Sequence, residues 1–226
     1  MRVGYDGDAP RTRPPVRATR PRPRASSGPV PDVIAPALDA LFVGINPGLF
    51  SARAGHHFAN PANPFWRLLH ESGLVGRRLA PAEECELLDY RLGITNLVPR
   101  ATAGAADLTR DDIDRGREAL VRKIRRYRPR AVVFVGLFAH AAFERRTRLR
   151  VAPPRRKGTP VSPPARERPV AVRSVARPRI GCGEQPERFA GARVFVLPNP
   201  SGRNAHFTYR EMQAAFRDVA RALGRG

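Results

Sequence analysis

Leu41-Phe42-Val43-Gly44-Ile45-Asn46-Pro47-Gly48 is the stretch on which the fold turns. Its first residues are apolar without alternation, as in a strand buried on both faces. Asn-Pro-Gly then stops it with turn chemistry. The same pattern returns near the other end of the chain. Arg193-Val194-Phe195-Val196-Leu197 runs into Pro198-Asn199-Pro200-Ser201-Gly202-Arg203-Asn204. Between them lie two further apolar runs, Gly93 to Val98 and Ala131 to Gly136, the second the clearest strand of the chain. Helical patterns fill the gaps. Asn63 and Pro64 suit a cap and a first turn before Phe65, Leu68 and Leu69. Pro81 opens another helix, with Glu83 and Glu84 near its positive end and Cys85 expected in its buried face. Thr109 with Asp112 forms a capping box ahead of Ile113, Leu120, Ile124 and Tyr127, and Pro129 ends that helix. Thr208 with Glu211 does the same ahead of Met212, Ala215, Phe216, Val219, Ala220 and Leu223. Strands alternating with helices predict an α/β fold. The expected form is a three-layer α/β/α sandwich around a central, mainly parallel sheet of four to five strands.

A chain of 226 residues is long enough for one domain with a sizeable core. The formal net charge is +21. A polyanionic partner such as nucleic acid is one explanation. Coding bias is the other, because lysine occurs only at Lys123 and Lys157 while Arg, Ala, Pro and Gly abound. The charge is uneven: residues 145–190 carry 13 basic side chains against three acids. Residues 1–35 are Pro/Arg-rich without periodicity and read as a disordered tail. Residues 36–226 read as a single domain, interrupted at about 145–180 by a disordered Pro/Arg-rich insertion. Cys85 and Cys182 form no Cys-x-x-Cys pair, which excludes a zinc ribbon and a four-cysteine iron–sulfur cluster and suits a reducing compartment. No apolar run approaches the roughly 20 residues that span a bilayer. The amino-terminal stretch has no apolar core of a secretory signal.

Ligands of open α/β sheets bind beyond the carboxyl ends of the strands. Here that edge would carry loops at Asn46, at Asn96 to Thr102, at Leu137 to His140 and at Asn199 to Asn204. They offer amides and few carboxylates. Neither Asn-Pro turn contains Asp or Glu, which argues against hydrolysis by paired carboxylates. A Gly-x-Ser-x-Gly elbow, a phosphate loop and a dinucleotide fingerprint are all missing from the sequence. A neutral amide can orient a water but is a poor base. It therefore suits a reaction whose leaving group departs largely unaided. Neither turn holds a lysine, which disfavours Schiff-base chemistry.

Together, Gly44-Ile45-Asn46-Pro47-Gly48, Gly55-His56-His57-Phe58, Phe65-Trp66 and Asn199-Pro200-Ser201-Gly202 resemble the mismatch-specific uracil/thymine DNA glycosylases of the uracil-DNA glycosylase superfamily. The resemblance covers about residues 38–144 and 180–224. It implies that uracil, or a related mispaired or damaged base, is flipped from double-stranded DNA and its N-glycosidic bond hydrolysed, leaving an abasic site. Asn46 would hold the attacking water. Gly44, Ile45 and Ser51 would line the base pocket with His57, Phe58 would stack on the base, and Asn96 would read its edge. Asn199, Ser201, Gly202, Arg203 and Asn204 would enter the duplex, with Ser201 and Gly202 on phosphate. Arg203 stands where bacterial relatives usually carry a Leu wedge, so wedge action and opposite-base preference are open at this position. The resemblance further implies no metal, no cofactor, no membrane, a monomer, and action in the bacterial cytoplasm at the nucleoid. The alternative is a non-catalytic, basic DNA-binding protein with a vestigial pocket. A nucleotide-binding α/β enzyme is a weaker third, because the phosphate loop is missing.

Overall fold

The structure, a computed structural model, describes residues 28–144, 181–201 and 206–225. The expected insertion and most of the expected tail fall outside these. Five strands form one sheet: β1 (Ala40–Gly44), β2 (Leu92–Asn96), β3 (Ala131–Val135), β4 (Gly183–Phe189) and β5 (Ala192–Leu197). The helices are α1 (Leu49–Ala54), α2 (Phe65–Glu71), α3 (Arg110–Tyr127), α4 (Leu137–Glu144) and α5 (Tyr209–Ala222). The strand order is β2-β1-β3-β5-β4. The first three pairings are parallel, and only the edge strand β4 runs antiparallel, against β5. The expected mainly parallel α/β fold is therefore what the chain adopts.

β1, β2 and β3 are buried along their whole length. Successive side chains point to opposite faces, and two apolar cores result. Ala40 and Phe42, with Ile94, Val133 and Phe195, face the side covered by α2 and α5. Leu41 and Val43, with Val132, Phe134 and Val194, face the side covered by α3 and α4. Because β1, β2, β3 and β5 are parallel, their carboxyl ends share one edge. The chain leaves β1 toward β2 on one flank and returns to β3 on the other, which is the topological switch where such sheets hold ligands.

Several local expectations shift. The expected helix at Pro81 is a 3-10 helix, Pro81–Tyr90. Its three-residue period aligns Glu84 with Leu87 on the buried side and leaves Cys85 exposed, which corrects the assignment of Cys85 to the core. The stretch Leu137 to His140, expected as a loop, is the start of α4. α1 was too short to show periodicity, and β4 has the alternating, largely polar pattern of an edge strand. Asn63 caps one residue earlier than the usual position: its Oδ1 accepts the Phe65 N–H at 3.0 Å. Residues 28–35, expected in the tail, belong to the packed unit, since Val30 and Val33 are buried and Val33 exchanges backbone hydrogen bonds with Ile94.

Candidate active site

The loops beyond β1, β2, β3 and β5 enclose a cleft of about 1080 Å³. Asn46, Phe58, Asn96 and Asn199 all line it, together with Ile45, Ser51, His57 and Ser201. Gly44 sits beneath: a Cβ there would lie 2.6 Å from Asn96 Oδ1 and 3.3 Å from Phe58 Cζ, so glycine is what lets these two side chains converge. No Asp, Glu, Lys or Arg is found among the described lining residues. The cleft thus presents amides, hydroxyls, the imidazoles of His57 and His206 and apolar groups, a surface suited to a neutral, flat, polar-edged ligand. Among the described residues no three His, Cys, Asp or Glu converge as metal ligands.

The turn carrying Asn46 is stitched to the loop after β2. Leu97 and Val98 N–H groups donate to Gly44 and Ile45 carbonyls at 2.8 Å each, and Thr102 N–H donates to Pro47 O at 3.2 Å. The Asn46 carboxamide is pinned from one side. Its Nδ2 donates to Thr102 Oγ1 at 2.7 Å and to Arg100 O at 3.0 Å. A carbonyl only accepts, so the amide nitrogen must face Arg100. The Thr102 hydroxyl spends its own proton on Gly104 O at 2.6 Å and so can only accept from Asn46. Both amide protons are therefore committed, and Oδ1 is left as a hydrogen-bond acceptor.

Phe58 is held in a left-handed backbone conformation, φ 48°. For a bulky side chain this is strained, at a cost of about 1–3 kcal/mol. Three contacts hold the segment there. Ser51 Oγ, on α1, accepts the Ala59 N–H at 3.1 Å. Trp66 Nε1 donates to His57 O at 3.1 Å. The buried Glu84 carboxylate accepts from His57 N–H and His57 Nδ1, both at 2.8 Å, and from His56 Nδ1 at 2.9 Å. One face of the Phe58 ring lies on Phe65, with centroids 4.1 Å apart and planes 23° apart. Half-buried, Phe58 keeps its remaining surface toward the cleft.

Asn96, at the end of β2 and 9% exposed, has no side-chain hydrogen bond to another described residue. His57, 2% exposed, keeps Nε2 buried and unpartnered. The second turn is braced locally, because Asn199 Oδ1 accepts the Ser201 N–H at 3.0 Å. Gly136, φ 112°, allows that turn to close on β3: its missing Cβ would lie 3.3 Å from Asn199 Cβ. Gly202, Arg203 and Asn204 lie outside the described residues. Sequence reasoning missed Thr102 and Glu84. Neither belongs to a motif, and only the short Thr-x-Gly run after β2 gave a signal for the first.

A model of the uracil DNA glycosylase superfamily matches residues 31–223. Among solved structures, a solution NMR structure from Methanosarcina acetivorans, described as a "putative Uracil DNA glycosylase", aligns with a TM-score of 0.51 at 18% identity. That alignment covers 85% of this chain and 98% of the other. At this identity the likeness concerns the fold.

Proposed function

The chain belongs to the uracil DNA glycosylase superfamily, and from that premise we propose that it is a monofunctional DNA N-glycosylase that removes uracil, or a related mispaired pyrimidine, from duplex DNA. The observation that carries this reading is the Asn46 amide, whose two protons are spent on Arg100 and Thr102 while Oδ1 accepts no hydrogen bond from a described residue. An oxygen so placed accepts a hydrogen bond from water and orients the water's lone pair. It cannot take the proton outright. The C1′–N bond therefore breaks ahead of attack, its electron pair leaves with the base as an anion, and the water oxygen bonds C1′. The water's proton passes to solvent or to the departed base.

The absence of Asp and Glu among the described lining residues supports the same reading, since a nearby carboxylate would oppose an anionic leaving group. In this scheme Phe58 stacks on the extruded base, worth about 1–3 kcal/mol, and the buried Asn96 amide offers both a donor and an acceptor to its edge. Arg203 would fill the vacated stack, with Asn199, Ser201, Gly202 and Asn204 shaping that turn. The test is base release from matched 30-mer duplexes carrying G·U, A·U or G·T, and from single-stranded uracil, followed by alkaline cleavage. Release led by G·U, and lowered by about 10²-fold or more in Asn46→Ala, is the expected result. Tight DNA binding with no release from any substrate would instead favour a non-catalytic binding protein.

A further inference from the structure

Among the described residues, the large apolar side chains that stand exposed are Leu49 (49%), Phe50 (45%) and Phe138 (48%). They are not scattered. All three lie on the wall of the one cleft described above. Leu49 and Phe50 open α1, directly after the Asn46 turn, and Phe138 is the second residue of α4, directly after β3. β1 and β3 are neighbours in the sheet, so the two helix starts sit side by side at its carboxyl edge. Arg53 lies one turn on from Leu49 and Phe50, exposed, and has no ion-pair partner among the described residues. Isolated apolar residues on a surface are ordinary, but a cluster at the mouth of a ligand cleft marks an interaction surface.

We propose that Leu49, Phe50 and Phe138 form an apolar lip that packs against the nucleotides flanking the extruded one, with Arg53 on an adjoining phosphate. The inference rests on the DNA-directed reading above and extends it to a second contact surface, separate from the Asn199–Asn204 turn. The chemistry selects this occupant. Unstacked bases and deoxyribose faces are flat and apolar, and stack on aromatic rings without regard to sequence. An adjacent guanidinium with no ion-pair partner among the described residues calls for a phosphate. A second copy of the chain fits poorly, because two molecules of formal charge +21 would be brought together at a face bearing the exposed Arg53. Packing of this kind lowers the cost of opening the stack around the target, so it acts on binding and extrusion and not on bond cleavage.

The decisive experiment compares the full-length chain with Phe50→Ser/Phe138→Ser and with Arg53→Ala. Affinity is measured for a duplex bearing a tetrahydrofuran abasic analogue opposite G, which needs no catalysis. A second duplex carries 2-aminopurine beside the same site, whose fluorescence reports unstacking of the neighbour. The double variant is expected to bind roughly tenfold or more weakly, as loss of stacked aromatic contacts requires, and to lose most of the 2-aminopurine rise. Its thermal stability should be unchanged or raised, since two exposed apolar groups are replaced by polar ones. Arg53→Ala should weaken binding and flatten its salt dependence. Unchanged affinity together with unchanged fluorescence overturns the proposal. So does a wild-type dimer, seen in sedimentation, that the double variant dissociates. Absence of base release by the wild type would count against the glycosylase reading alone, because both readouts here are made on a DNA that has no base to release.

Discussion

At the scale of the residue, the site depends on a few side chains whose freedom has been removed by neighbours. Asn46 is informative because its amide can face only one way. Thr102 fixes that direction, and its own hydroxyl is fixed in turn by Gly104. Thr102→Val keeps the shape and removes the acceptor. It should lower the rate of base release about two- to tenfold, the worth of one hydrogen bond, with little change in KM, and Thr102→Ser should restore it. A purely structural role for Thr102 would alter KM and melting temperature together and would not be rescued. On the proposed reading, in which Oδ1 orients water without taking its proton, leaving-group quality should set the rate. Duplexes with 5-fluorouracil should therefore be processed faster than those with uracil under single-turnover conditions. Equal rates would contradict the dissociative scheme. Asn46 and Phe58 lie in motifs quoted from the sequence and Asn96 at the end of an expected strand, and all three line the cleft. Thr102 and Glu84 were not legible in the sequence, because what they do depends on distances across 56 and 27 positions of chain.

At the scale of the element, capping chemistry and apolar stripes were readable because they are local. Thr109 Oγ1 accepts the Asp112 N–H at 3.1 Å, and Asp112 returns a bond to the Thr109 N–H at 2.9 Å, as the four-residue pattern implied. The guanidinium of Arg100, with the Thr109 donors, holds the Asp112 carboxyl well below the usual carboxylate range. That salt bridge ties the start of α3 to the loop whose backbone carbonyl receives Asn46. Within α3, Gly116 looks like a helix weakener, and Gly116→Ala would be expected to stabilise on propensity alone. The packing reverses the sign: a Cβ there would lie 2.2 Å from the Leu97 carbonyl oxygen, which is backbone and cannot swing aside. Gly116→Ala should cost about 1–3 kcal/mol, measured by urea unfolding. A gain in stability would refute the close contact. Helix α1 escaped the sequence reading because six residues span less than two turns, too few to display a period. The 3-10 helix misled it because a 3.6-residue period was assumed where the period is three.

At the scale of the whole molecule, the cleft edge and the opposite edge of the sheet are built differently. The cleft edge is free of charge among its described lining residues, whereas Asp39, just before β1, gathers three arginines. Arg225, beyond α5, also donates to Leu74 O at 2.9 Å and to Tyr90 O, so one carboxylate ties the end of the described chain to the start of the sheet. Burial by itself would raise the Asp39 carboxyl, but hydrogen bonds from Arg225 and Arg130 and the charges of Arg91 and Arg225 outweigh it and hold it below its ordinary value. A depressed carboxylate contributes stability that is complete above the unfolded value of about 3.9 and is lost as pH falls through the folded one. Asp39→Asn should therefore lower the melting temperature at pH 7, and the gap to wild type should narrow below about pH 4. A constant gap from pH 7 to pH 3 would show that Asp39 acts without its charge. The sequence by itself determined the fold class, the strand-then-turn units and several of the side chains facing the cleft, because these depend on local periodicity, turn chemistry and family motifs. Tertiary structure decided which way the Asn46 amide points, how the strained Phe58 segment is held by Glu84, Ser51 and Trp66, and that three exposed apolar side chains meet at one rim. Those are matters of distance between remote parts of the chain. The parallel sheet sets such distances by placing four strand ends on one edge, and no local pattern records them.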